Sequence, residues 1–274
     1  MNRYVFALGT AIVTGAASGI GEALTRNLAG RGSSLVLLDR DADRLAGVAA
    51  SLAALHPASS IGTLVVDLSD REATDAIGAR LAAEHPETTL LINCAGVALG
   101  GSFTQVSLDD VNWLIDINFR ATVTLTHHLL PVLRKNPGSH LANVSSVFGI
   151  IAPAGQVAYV SSKFAVRGFT EALRAESHGL DMGVTCIHPG GIKTGIAGSA
   201  RAGSGLSTAD AERGKRTMQR ALTISPEVAA RVILDGIERR KPRVLIGWTA
   251  KLPDLLARLT PGHYMALVRL LLRV

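Results

Sequence analysis

The sequence predicts an α/β fold, a single doubly wound parallel sheet of about seven strands flanked by helices. Three observations predict it. Short apolar runs alternate with helix-like stretches along the chain. Most of those runs are apolar without polar alternation, as expected for strands covered on both faces. A glycine-rich turn, "TGAASGIG" at 14–21, stands between the first strand and the first helix.

The first strand is "AIVTG" (11–15), and the turn leads into a helix over 19–31. "SLVLLD" (34–39) precedes a helix over 42–55, and "IGTLVVD" (61–67) precedes one over 70–84. "TLLIN" (89–93) is followed by a long helix over 108–135, and "HLANVSS" (140–146) by a helix over 156–178. "GVTCIHPG" (183–190) runs into a Gly- and Ser-rich insertion, 195–217, which reads as a mobile loop with a short helix, a lid. A helix over 226–240 opens on Ser225–Pro226–Glu227, a cap, a proline at the first position and an early acid. "RVLIG" (243–247) is the last strand. Residues 1–250 form one domain and 251–274 a helical extension of it, with no repeat or linker between.

Composition narrows the function. The 274 residues are 47% hydrophobic and 18% charged, the balance of a well-buried globular protein. The net charge is +6, but the cations are scattered and aromatic residues make up only 4%, so nucleic acid is not an expected partner. Cys94 and Cys186 sit in apolar runs without metal or redox spacing and read as buried thiols in a reducing compartment. No residue cluster suggests a metal. No leader is expected, and no apolar run reaches membrane-spanning length, so the expectation is a cytoplasmic protein.

The turn carries the first chemistry. Gly15, Gly19 and Gly21 allow a tight turn and bring a pyrophosphate to a helix N-terminus, with Ser18 and Ile20 inside the same turn. Asp39 ends the second strand at the distance where an acid binds adenosine ribose hydroxyls, which favours NAD, whereas the adjacent Arg40 could accept the phosphate of NADP. Asp67, followed by Leu68, is placed to reach an adenine amino group. Asn93, Cys94, Ala95 and Gly96 close the fourth strand with room for a ribose. Tyr159 and Lys163 lie four apart in "YVSSK", hence on one helix face.

Together these segments resemble the short-chain dehydrogenases/reductases over roughly residues 10–250. "TGAASGIG" is similar to their cofactor motif, and "NCAG" (93–96) to their Asn-Asn-Ala-Gly motif with Cys94 as a departure. Asn118 in "DINFRA", "NVSS" (143–146), "YVSSK" and "PGGIKT" (189–194) complete the resemblance. It implies a Rossmann-type fold and hydride transfer between a nicotinamide and an alcohol or ketone carbon. Tyr159 would be the acid/base, Lys163 would lower its pKa and bind ribose, Ser146 would orient the substrate oxygen, and Asn118 would hold a water leading from the lysine to solvent. Pro189, Gly190, Ile192 and Thr194 would contact the carboxamide. Ser145, on the opposite strand face, reads as structural, and His188 as a packing or hydrogen-bonded residue.

The expected activity is an NAD(P)-dependent oxidoreductase interconverting a secondary alcohol and a ketone. The alternatives are an inactive protein of the same fold with a binding or regulatory role, or a nucleotide-sugar epimerase or dehydratase. Apolar Val147, Phe148, Ile150, Ile151 and Val157 point to a lipophilic substrate. Assembly as a homodimer or homotetramer is expected through the helices at 108–135 and 156–178, where Ala165 and Gly168 permit close approach. The tail 252–274, broken at Pro261, has three readings: packing on its own or a neighbouring subunit, a cover over the substrate pocket, or a weak membrane-surface contact with Arg269 and Arg273 at the headgroups.

Overall fold

The computed structural model describes residues 2–272. Seven parallel strands build one sheet: β1 (Thr10–Thr14), β2 (Ser34–Asp39), β3 (Ile61–Val65), β4 (Thr88–Asn93), β6 (His140–Val144), β7 (Gly183–Pro189) and β9 (Arg243–Ile246). Their order is β3-β2-β1-β4-β6-β7-β9. All seven expected strands are present. The chain starts at β1, winds outward to β3, then crosses back to β4 on the other side of β1. That reversal opens a crevice at the carboxyl ends of β1 and β4, where ligands of such sheets bind.

Both faces are covered, which explains the missing polar alternation. Ala11, Val13, Leu35, Leu37, Leu90 and Ile92 face helices α1 (Gly19–Gly30), α2 (Ala42–Leu55) and α8 (Pro226–Glu238), packing on Leu24, Leu28, Leu45, Ile233 and Ile237. The alternate residues Ile12, Val36, Leu38, Leu91 and Leu141 face α3 (Arg71–Glu84), α5 (Ala121–Lys135) and α6 (Val157–Glu176). Each fully buried leucine contributes about 2 kcal/mol relative to exposure.

The structure corrects several expectations. The helix expected over 108–135 is α4 (Leu108–Ile115) and α5 joined by a π-turn, Asp116–Arg120. Buried Asp116 is gripped there by Arg71 at 3.0 Å and Arg120 at 3.3 Å. Strand β3 stops at Val65, so Asp67 lies beyond it. Cys94 is only half-buried, because it sits past the end of β4, whereas Cys186 is buried.

The 195–217 segment is more structured than a mobile loop. Residues Leu99–Gly100 (β5) and Arg201–Ala202 (β8) pair in parallel. Arg201 lies 3.8 Å above the Trp113 ring and 3.0 Å from Asp110, pinning the segment to α4. Its helix is not short: α7 (Thr208–Ala221) is capped by Ser207 and buries none of its residues.

Helix α9 (Trp248–Leu259) begins before residue 251 and runs through it, and α10 (Tyr264–Leu272) follows a turn containing Pro261. Val268, Tyr264 and Met265 pack against Val147, Ile150 and Ile151, so the tail covers its own subunit. The side chains of Arg269, Leu271 and Leu272, and the whole of Arg273, lie outside the described residues. No helix among the described residues is long and apolar enough to cross a membrane. On α6, Phe164 is exposed and Gly168 borders open space.

Candidate active site

The crevice floor is tied together by a residue that motif reading passed over. Thr14 Oγ1, at the end of β1, accepts the backbone N–H groups of Cys94 and Ala95, each at 3.0 Å. Beside it, Gly15 has φ +69, and a Cβ there would lie 2.9 Å from Ala95 Cα. A Cβ on Gly21 would overlap the Gly15 carbonyl oxygen, so the turn closes only with glycine at both positions. Gly19, with φ +55, faces Thr194, whose Cγ2 would be 3.0 Å from a Cβ on it. The turn and the 189–194 segment, far apart in sequence, thus face each other across the crevice.

The first turn of α1 suits an anion. Helices α2, α3, α4, α7 and α8 each receive a side-chain cap bond from Asp41, Asp70, Ser107, Ser207 and Ser225. Exposed Ser18 makes no such bond to α1, so its first-turn N–H groups have no side-chain cap. Half-buried Ile20 anchors that turn to the core. Asp39 is held by two donors, Ala17 N–H at 3.0 Å and Asp41 N–H at 3.1 Å, while Arg40 is exposed. Asp67 is exposed and accepts both the N–H and the hydroxyl of Ser69, with Leu68 buried beside it. Asn93 turns away into a buried network, donating to Thr126 and Asn143, and its Oδ1 is buried without a partner.

The other half of the site comes from β6, the π-turn and α6. Asn118 sits on the π-turn. Its Oδ1 accepts Val97 N–H at 2.8 Å, and its Nδ2 donates to Val97 O and to Ser162 Oγ. Ser162 in turn donates to the Tyr159 carbonyl at 2.7 Å, linking the π-turn to the tyrosine's backbone. Lys163 Nζ donates to Val144 O at 3.1 Å and lies 5.7 Å from the centre of the Tyr159 ring. A Cβ on Gly96 would lie 3.3 Å from both Lys163 Nζ and Asn118 Oδ1, so only glycine leaves that approach open.

Ser145 and Ser146 have different partners. Ser145 Oγ donates to Lys163 O at 2.8 Å and holds β6 against α6. Ser146 Oγ accepts Phe148 N–H at 3.1 Å, and its hydroxyl acts to lower the pKa of the Tyr159 phenol. Ser146→Ala is expected to lower kcat about 100-fold, the cost of losing a donor at a charge-developing oxygen. Ser145→Ala, which removes only a helix tether, should stay within about fivefold. Steady-state kinetics of the two variants decide the assignment, and the reverse order overturns it.

His188 is both packed and hydrogen-bonded. It is fully buried, and its Nδ1 lies 2.9 Å from the Ser146 carbonyl oxygen, which makes Nδ1–H the donor. Burial pushes its pKa down to about 4, so the ring is neutral at neutral pH. It fixes the backbone of Ser146 from the strand that leads into Pro189, Gly190 and buried Ile192.

In the protein alone, electrostatics run against one expectation. The fall expected for the Tyr159 pKa counts both Lys163 and a positive nicotinamide. Burial raises that pKa instead, and the Ser146 hydrogen bond offsets this only in part. Lys163 is itself pushed down to about 8 by burial. The protein's own groups therefore favour the neutral phenol, and the expected fall rests on the positive charge an oxidised nicotinamide brings.

Comparison with known proteins agrees with this geometry. The family model of the short chain dehydrogenases matches residues 9–205. SadH of Mycobacterium tuberculosis, which bears an oxidoreductase name, is 38% identical over 267 residues, covering 94% of this chain and 93% of that one. A short chain dehydrogenase/reductase of Burkholderia phymatum, solved in complex with NAD, superposes with TM-score 0.83 at 25% identity, covering 96% of each chain. A Sphingobium yanoikuyae short-chain dehydrogenase solved with NADPH gives TM-score 0.78 at 27% identity, covering 93% of this chain and 94% of that one. With the matched model spanning most of the chain and the fold shared end to end, this protein belongs to the short chain dehydrogenase family.

Proposed function

We propose that the protein is an NAD(P)-dependent oxidoreductase that interconverts a lipophilic secondary alcohol and its ketone. The observation that carries the proposal is the convergence of Tyr159, Lys163 and Ser146 beside the uncapped glycine turn. The crevice fits a dinucleotide: Gly15, Gly19 and Gly21 leave the backbone bare where a pyrophosphate would approach. Gly96 keeps the space beside Lys163 open for a ribose, and Asp39 is aimed by two backbone donors. The related structures with NAD and with NADPH support a nicotinamide.

The bound nicotinamide would supply the hydride acceptor or donor. The chain's residues handle the oxygen. Tyr159 takes the alcohol proton in oxidation and returns it in reduction. The Ser146 hydroxyl hydrogen-bonds the substrate oxygen and orients it. Lys163 places a positive charge beside the phenol and favours its anion. Asn118 holds the Val97 loop and, through Ser162, the tyrosine's turn of helix. Phe148, edge-on to Tyr159 at 6.1 Å, and the apolar 147–151 segment favour an apolar substrate body. A panel of short and long secondary alcohols, followed by nicotinamide absorbance, tests the class. Turnover of none of them in either direction overturns it.

For the cofactor, we propose NAD over NADP. The Asp39 carboxylate would accept ribose hydroxyls and repel a 2′-phosphate. Asp39→Ala removes both the acceptor for the ribose hydroxyls and the charge that repels a 2′-phosphate, so the NAD/NADP ratio of kcat/KM should fall roughly tenfold. A wild-type preference for NADP overturns the assignment and points to Arg40.

A further inference from the structure

The outer face of α9 is apolar where a surface helix is ordinarily polar. Ala250, Pro253 and Asp254 are buried against the body of the protein. On the opposite side, Trp248, Leu252, Leu255 and Leu259 follow one another at i, i+4, i+7 and i+11, a single stripe. Trp248 is 61% exposed, Leu255 52% and Leu259 69%. Leu270 of α10, 75% exposed, adds to the apolar surface of the tail. Scattered apolar residues need no explanation, but a continuous stripe with a tryptophan at one end does.

The charges around the stripe identify its partner. Asp254 is the sole acid between 248 and 272. It is buried and committed to Arg243 and Arg258. The ionised groups α9 presents to solvent are therefore cations, Lys251 and Arg258, seven apart on one flank of the stripe.

We propose that α9 is a docking face for an anionic lipid surface. The leucines and Trp248 would enter the headgroup–acyl boundary, with Lys251 and Arg258 at the headgroups. At about 18 Å long, the helix lies along the surface and does not cross it. A second copy of the chain is a poorer occupant. Two such stripes packed antiparallel about a twofold axis would bring the cationic flanks together with no exposed acid on either helix to pair them.

The test is co-sedimentation of the full chain with vesicles of mixed phosphatidylcholine and phosphatidylglycerol, against phosphatidylcholine alone. Binding to the mixed vesicles only, weakened by salt, is expected. Trp248 emission should shift to the blue on binding, a change absent in Trp248→Phe. Lys251→Gln should weaken binding about fivefold. Leu255→Ser combined with Leu259→Ser should weaken it about tenfold or more. Thermal melting should be unchanged in both, because these side chains are exposed. Failure of the wild-type chain to sediment with anionic vesicles overturns the proposal, as does undiminished binding by the double variant. A wild-type dimer in light scattering that the double variant dissociates assigns the stripe to a second copy. None of these residues lies in the catalytic crevice, so the outcome is independent of the catalytic reading.

Discussion

Tyr159→Phe is expected to lower kcat about 1000-fold while the dissociation constant for the nicotinamide stays within about threefold. The substitution removes one oxygen and keeps the ring against Phe148, so packing is preserved. What is lost is the hydroxyl proposed to exchange a proton with the substrate oxygen, and positioned proton transfer contributes about 100- to 10,000-fold. Single-turnover hydride transfer combined with a binding titration separates the two effects. A variant turning over at wild-type rate removes Tyr159 from the chemistry. The pH profile gives a second readout. Burial raises the phenol pKa in the protein alone, so alcohol oxidation should climb on the alkaline side unless the bound cofactor brings the pKa down.

Lys163→Met is expected to abolish measurable turnover and yet to stabilise the fold by about 1–2 kcal/mol near neutral pH. Lys163 is buried, and burial lowers its pKa from the ordinary 10.5 to about 8. Keeping the charged ammonium there costs about 3 kcal/mol on the scale of 1.36 kcal/mol per pKa unit. The hydrogen bond to Val144 O that Met would lose is worth about 1 kcal/mol, so the charge term wins. The linkage has a definite sign. Between about pH 8 and 10.5 the unfolded lysine holds its proton and the folded one has released it. Stability of the wild type should therefore rise with pH across that window, and the Met variant should lack that increment. Denaturant melts at both ends of the window, without added nucleotide, measure it. A variant less stable than wild type at neutral pH would make Lys163 a structural residue, not one the protein keeps at a cost in stability for its chemistry.

Much of the architecture was legible in the sequence because it rests on local signals. A strand covered on both faces is mostly apolar, so the central strands were visible as runs such as "SLVLLD", and the edge strand β3, whose residues are half-buried or exposed, as the apolar run "IGTLV". The helix over 42–55 was bounded by its pattern alone. Gly15, Gly19 and Gly21 marked the crevice because the backbone tolerates nothing larger there. Tyr159 and Lys163 stood out because helix geometry puts residues four apart on one face.

What only the tertiary structure decided depends on pairs distant in the chain. Thr14 joins β1 to a loop eighty residues on, and His188 holds Ser146 across forty-two residues, so no local pattern announces either. The 195–217 segment acquired its shape from Arg201 meeting Trp113 and Asp110. The tail acquired its inner face from the 147–151 segment, leaving the stripe of α9 outside. The burial that raises the Tyr159 pKa in the protein alone also escaped the sequence. Motif reading supplies the neighbouring lysine, but desolvation is a property of everything packed around the phenol. Periodicity and glycine sterics act between residues close in sequence and can be read there, whereas burial, and the charge balance it controls, exists only once the chain has closed on itself.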